Sequence, residues 1–250
     1  MELLWREPRV VPPPVDVPVV CRLFEDAARR HATHLGVGVE DLRGGGQAWV
    51  LGRFSLRIYS VPQAAAAVEV TTWPSRRTSG IRAWRDFELR APGGQLLAEA
   101  TSVWLILDLA TRRPARLPSR LLALEFPSRD TAIASPASAP EPAGPADDVS
   151  LHTITAADLD ENNHANNVAY LDWACAAAPA ALAAAARVEE LHADYLGESF
   201  EGEEVRIAAW QQRSDDGGCR LNQRLECAGR LLTRVTTLWR PVRPREDAHK

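Results

Sequence analysis

DLDENNHANNVAYLDW, residues 158 to 173, sets three acids, four asparagines and a histidine in ten residues and then turns apolar. The apolar part reads as the opening of a buried helix, with Asn166 or Asn167 as its N-cap. Backbone N–H groups in the first turn of a helix lack an intrahelical acceptor, so they favour negative charge close by. If the segment ahead of that helix is extended, Asp160, Asn162 and His164 stand at i, i+2 and i+4 and project to one side. Amides and first-turn N–H groups together suit the oxyanion that develops when an acyl carbonyl is attacked. The same residue types also cap helices and shape turns with no chemistry attached, and the pattern alone leaves both readings open.

The helix after this cluster is followed by strand-like runs, EELHADYL, EVRIAAWQQ, CRLNQRLECA and RLLTRVTTLW, with a tight SDDGG turn between the second and third. The first part of the chain follows the same plan. VVCRLFEDAARRHATHLG sets Val20, Phe24, Ala27, Ala28, His31 and Leu35 at helical spacing and stops at Gly36. AWVLGRFSLRI, AAVEVTTW, IRAWRDFEL and AEATSVWLILDL then read as strands, with Phe54, Leu56 and Ile58 alternating with Ser55 and Arg57. A helix with one apolar stripe and a sheet with one apolar face must cover each other, so the chain is expected to be α+β and tandem. PSRDTAIASPASAPEPAGPADD separates the halves and reads as an exposed, extended linker. The expected division is 1–125, a linker at 126–148, and 149–250.

With 250 residues, 46% of them hydrophobic, the chain can build a sizeable core. The prolines and early charges of MELLWREPRVVPPPV do not suit a signal peptide. No run approaches the roughly 18 apolar residues of a membrane span, so the expectation is a cytoplasmic protein with no membrane partner. Cys21, Cys175, Cys219 and Cys227 are scattered, with no C-x-x-C pair and no zinc-ligand spacing, and read as reduced thiols. Lys250 is the single lysine; with abundant arginine and alanine this hints at a GC-rich bacterial genome. The first half carries the positive excess and the second the negative, which makes the first the better docking face for an acidic partner, although solvated strand faces account for the same arginines.

DLDENNHANNVAYLDW resembles the D-x-N-x-H-x-N-N-x-x-Y-x-x-W signature of the acyl-ACP thioesterases, the plant fatty-acyl-ACP hydrolases and their bacterial relatives. WVLGRFSLRIYSVP, VEVTTWPS, RAWRDFELRAPGGQLLAEATSVWLILDLATRRPARLP and ADYLGESFEGEEV follow in the family's order, so the resemblance extends over roughly residues 15 to 240. It implies two tandem hotdog domains, each a long helix wrapped by an antiparallel sheet, the first shaping an acyl-chain pocket and the second carrying the catalysis. It further implies catalytic Asp160, Asn162 and His164, and, from the family's Y-x-x-E element at Tyr195 to Glu198, Glu198 as the catalytic acid. His164 and Asn162 would polarise the carbonyl and Asp160 would orient His164. Plant members place a cysteine after this glutamate, whereas this chain has Ser199, so the carboxylate must act, as base on water or as nucleophile; water activation is the favoured form.

The implied substrate is a fatty acyl group on the phosphopantetheine arm of acyl carrier protein, within fatty acid biosynthesis, with no metal or dissociable cofactor and no nucleic acid; the chain would act as a monomer or homodimer. A hotdog thioesterase acting on acyl-CoA and a non-catalytic acyl-carrier binding module are the alternatives. GESFEG only superficially matches a nucleophile elbow, since Glu201 stands at its fifth position. RGGGQ at 43–47 has no following helix or lysine for a phosphate and reads as a hairpin-like connection. TRRPARLPSR, 111–120, is either a solvated strand exit or a contact for the phosphopantetheine or the carrier's acidic surface. Trp49, Trp73, Trp84 and Trp104 are candidates for lining an acyl tunnel, with core packing as the plainer use.

Overall fold

Asp16 begins the first helix, α1 (Val17–His34), by accepting the Val19 N–H at 3.0 Å, and Pro18 fits its first turn. Val20, Cys21, Phe24, Ala27, Ala28 and His31 form its buried face, and Gly36, at φ +66°, lets the chain turn out of it. This computed structural model describes residues 3–62, 65–133, 138–214 and 217–242. Around α1 run the strands β1 (Trp5–Val11), β2 (Gln47–Ile58), β3 (Ala66–Pro74), β4 (Arg82–Arg90) and β5 (Leu96–Asp108), with the short β6 (Arg113–Ala115) on β5. The second half supplies β7 (Asp148–Thr153), β8 (Ala186–Tyr195), β9 (Glu204–Arg213), β10 (Cys219–Cys227) and β11 (Arg230–Pro241).

All these strands join in one antiparallel sheet, ordered β1-β3-β4-β5-β2-β8-β11-β10-β9-β7. The seam between the halves is β2 against β8, with Arg53 opposite Asp194 and Arg57 opposite Glu190 in register. Both pairs close as ion pairs, at 2.7 and 3.1 Å. One continuous core runs through both halves, from Phe24, Leu56, Val70 and Phe87 to Leu171, Leu191, Leu221 and Val235. At about 1.5–3 kcal/mol for each large side chain fully buried, this shared core opposes separation of the halves far more than the linker does.

The helix after the polar cluster, α4 (Asn167–Ala176), has ten residues, so the second hotdog's helix is shorter than the long one expected. Pro179 ends it, and a brief α5 (Ala180–Ala185) leads into β8. α4 packs beside α1, with Arg22 and Asp172 3.7 Å apart. Two more short helices were not legible in the sequence: α2 (Val39–Arg43) and α3 (Ser119–Leu122), which dock Leu42 and Leu121 into a small second core with Ile106 and Leu117. RGGGQ is therefore the exit of α2 into β2, not a hairpin; Gly44 and Gly46 N–H groups bond Glu40 and Arg43 carbonyls. In the SDDGG turn, Asp215 and Asp216 lie outside the described residues.

Most described residues of the linker are exposed, as expected, but two of them anchor it. Ile133 and Ala139 are buried, and their N–H groups bond Thr101 Oγ1 and Asp194 Oδ2, each at 3.1 Å. The sheet's outer face carries buried polar side chains, including Asp86, Thr101 and Asp194, and such groups require donors. No helix among the described residues is long and apolar enough to cross a membrane.

Candidate active site

Residues 158 to 166 do not run extended into α4. They fold into a closed turn, with Asn166 N–H bonded to Asp158 O, Asp160 N–H to His164 O and Asn163 N–H to Asp160 O. Asn163 sits at φ +58°, a conformation that asparagine tolerates better than most residues. Asp160, Asn162 and His164 thus come together through a turn rather than the alternation of a strand. The Asp160 carboxylate points into the turn and accepts the Asn162 N–H at 2.8 Å, the His164 N–H at 3.3 Å and Asn162 Nδ2 at 3.3 Å. Its contacts are with the backbone and with Asn162, not with the imidazole. Asp160 was expected to orient the His164 ring, but its carboxylate is instead the acceptor at the centre of the turn.

The ring faces Glu198: Nδ1 of His164 is 3.4 Å from Oε2, and both side chains are about one-third exposed. A carboxylate has only acceptors, so the Nδ1 opposite it carries the proton and Nε2 is left for other partners. Phe200 braces the ring edge-on at 5.0 Å. Glu198 follows Gly197, where a Cβ would come 3.0 Å from the Leu231 carbonyl, so glycine lets this loop lie against β11. Arg230 donates to the Glu198 carbonyl at 3.0 Å. Ser199 is fully buried and hydrogen-bonded to Tyr170 at 2.7 Å, which removes it as a nucleophile.

Asn166 is the N-cap of α4, accepting Val168 N–H at 2.7 Å. Its amide Nδ2 lies 3.2 and 3.3 Å from the two oxygens of Glu25, on α1 of the first half. Burial pushes the Glu25 carboxyl upward, and the Asn166 amide only partly offsets it. Three side chains of the first half thus touch the cluster of the second, none of them expected there from the sequence: Glu25 on Asn166, Arg43 on Asn162 at 2.6 Å, and Arg112 on Glu198. TRRPARLPSR was marked as a basic stretch, but the left-handed turn that aims Arg112 across the seam, at φ +57°, leaves no mark in residue type.

A cavity of about 370 Å³ opens beside the cluster. Asp160, Glu161, Asn162, Asn166 and Asn167 form its second-half wall, and the rest of the lining comes from the first half, including Ala28, Val37, Trp49, Trp84, Trp104 and Leu121. Three of the four candidate tryptophans therefore line it, while Trp73 is core, 1% exposed, beneath the Arg129 guanidinium. Its size is at the lower end of ordinary small-molecule sites. The cysteines take no part in it: burial pushes the Cys175 thiol up to about 12 and Cys21 well above its usual value, which leaves both unreactive. No group of histidines, cysteines and acids among the described residues has metal-site geometry.

Fold and site define a tandem hotdog chain in which asparagines of a polar turn line a cavity and the same turn sets an imidazole against a carboxylate. The chain belongs to the acyl-ACP thioesterase family: the model of the N-terminal domain matches residues 13–124 and that of the C-terminal domain residues 146–241. The oleoyl-acyl carrier protein thioesterase 1 of Arabidopsis thaliana is 26% identical over 258 residues, covering 90% of this chain and 70% of that protein. A palmitoyl-acyl carrier protein thioesterase of Gossypium hirsutum is 26% identical over 80% of this chain and 52% of its own length. The chain spans about half or less of several such plant relatives, 38% in an Arabidopsis thaliana palmitoyl-acyl carrier protein thioesterase. Among solved structures, an oleoyl thioesterase from Lactobacillus plantarum superposes with a TM-score of 0.84 at 22% identity, over 96% of this chain and 97% of the other. The 12:0-ACP thioesterase from Umbellularia californica has a TM-score of 0.84 at 20% identity, over 97% and 99%. These two superpositions speak for the fold.

Proposed function

We propose that this chain hydrolyses the thioester of a fatty acyl group on acyl carrier protein, releasing free fatty acid and holo-carrier in bacterial fatty acid biosynthesis, in the cytoplasm. The observation that carries the reading is the placement of Asn162. Asn162 lines the cavity walled by the first half, and His164, two residues on in the same closed turn, stands 3.4 Å from Glu198. A thioester carbonyl at Asn162 would have its acyl chain in that cavity and its pantetheine arm toward solvent. The relatives named for carrier-protein thioesters support the choice of substrate.

In this mechanism Glu198 takes a proton from water, whose oxygen forms a bond to the carbonyl carbon. The carbonyl π-electrons move onto oxygen, where the Asn162 amide N–H stabilises the charge, while the His164 Nδ1–H steadies Glu198. Collapse of the tetrahedral adduct expels the thiolate, which takes the proton that Glu198 received. Asp160 keeps the turn closed and so holds Asn162 and His164 within one short loop. The route uses protein groups and water only.

Turnover of matched acyl-ACP and acyl-CoA thioesters, from short to long chains, with released acids read by mass spectrometry, tests this. Faster release from the carrier-bound series is expected. Faster release from the CoA series would overturn the choice of carrier, and no release from either would leave a binding module.

A further inference from the structure

Arg43 and Arg112 both belong to the first half, yet each ends on a polar side chain of the second half's cluster. Arg43 closes α2, a helix anchored by buried Leu42 and by Asp41 accepting the Gly38 N–H at 2.8 Å. Its Nη1 is tied to Glu40 at 3.0 Å and its Nη2 donates to Asn162 Oδ1 at 2.6 Å. A guanidinium has no acceptor, so the atom of Asn162 facing it must be the oxygen. That fixes which way round the amide lies. Nδ2 is turned to the opposite side, with one hydrogen toward Asp160 Oδ2 and the second without a partner among the described residues, on the cavity wall.

Arg112 leaves the tight turn between β5 and β6, where Asp108 accepts the Thr111 N–H and hydroxyl at 2.8 Å each and its carbonyl accepts the Arg112 N–H. From there Nη2 bonds Glu198 Oε1, while Oε2 is the oxygen that faces His164. The carboxylate is gripped at one oxygen and presented with the other.

We propose that Arg43 and Arg112 are positioning residues through which the first half sets the geometry of the second half's site: Arg43 fixes the Asn162 amide with its N–H toward the carbonyl, and Arg112 holds Glu198 beside His164. This rests on the thioesterase reading above. Arg112 is 60% exposed, Glu198 36% and Arg43 46%, and pairs this open contribute little to stability. A purely structural role would therefore leave turnover alone, whereas misplacing a reacting group costs about 10- to 100-fold in rate.

The test is steady-state kinetics of the full chain on one acyl-ACP with R43Q, R112Q, R43K and R112K, alongside thermal melts. The expected result is kcat lowered about tenfold or more in each glutamine variant with KM changed less than about twofold. Melting should stay near wild type, and lysine, which still donates to one oxygen, should recover most of the rate at 43 and part of it at 112. Wild-type kcat in both glutamine variants, or losses confined to KM, would overturn the positioning role while the hydrolase stands. A wild-type chain that releases no acid from any thioester would overturn both.

Discussion

Glu25 is the residue whose physics is least expected of a wall between two helices. It is a carboxyl buried at a cavity margin, with one amide donor shared between its oxygens. Burial holds its pKa above the usual glutamate value in the folded chain. The native state therefore keeps a proton that the unfolded chain gives up, and stability falls as pH rises above the unfolded pKa of about 4.3, until the folded group has also ionised. E25Q keeps an acceptor for Asn166 and has no charge to bury. Its melting temperature relative to wild type should rise between about pH 4 and pH 7. Melts that track wild type in parallel across that range would show that Glu25 carries no such burden. The sequence placed Asp160, Asn162, His164 and Glu198 through a resemblance and not through geometry, and the distinction matters. Strand alternation expected Asp160, Asn162 and His164 on one extended wall, whereas a closed turn holds them, made at Asn163 by backbone bonds that the residue types permit without dictating.

At the scale of elements, the helices and strands were readable where one periodicity ran long enough. The apolar stripe of α1 and the alternation of β2 follow from burying one face each. α2, α3 and β6 are each of five residues or fewer and have no period to read; tertiary contacts from Leu42 and Leu121 hold the two helices. β1 begins among charged residues and exists because β3 offers it a free edge over seven paired positions. The start of α4 was readable from asparagine chemistry and rests on one side chain doing two tasks. Asn166 caps the helix with Oδ1 and reaches α1 with Nδ2. N166A should lose about 1 kcal/mol for the cap alone, a drop of roughly 2–4 °C for a chain of this size. The measured loss should exceed that, because Glu25 is left buried without its donor. A melt indistinguishable from wild type would mean that α4 begins without this cap.

At the scale of the whole molecule, the β2–β8 seam makes two repeats into one sheet with one core. Composition and periodicity predicted the two repeats, but not that they share a seam, since cross-strand partners of distant sequence cannot be read from either strand. The seam is what brings Glu25, Arg43 and Arg112 of the first half onto the polar cluster of the second, beside a cavity lined by both. Two linker N–H groups, of Ile133 and Ala139, reach Thr101 on β5 and Asp194 on β8. In the proposed reaction the first half walls the acyl chain and the second supplies the groups that act on its end.

The most direct measurement of this division is release of free acid from a long-chain acyl-ACP by the wild-type chain and by E198Q, which keeps the side chain's shape and removes its basicity. Wild type should turn over repeatedly, and E198Q should retain its melting temperature while losing on the order of 100-fold or more in kcat. Equal rates in the two proteins would mean that the carboxylate facing His164 is not the group that activates water.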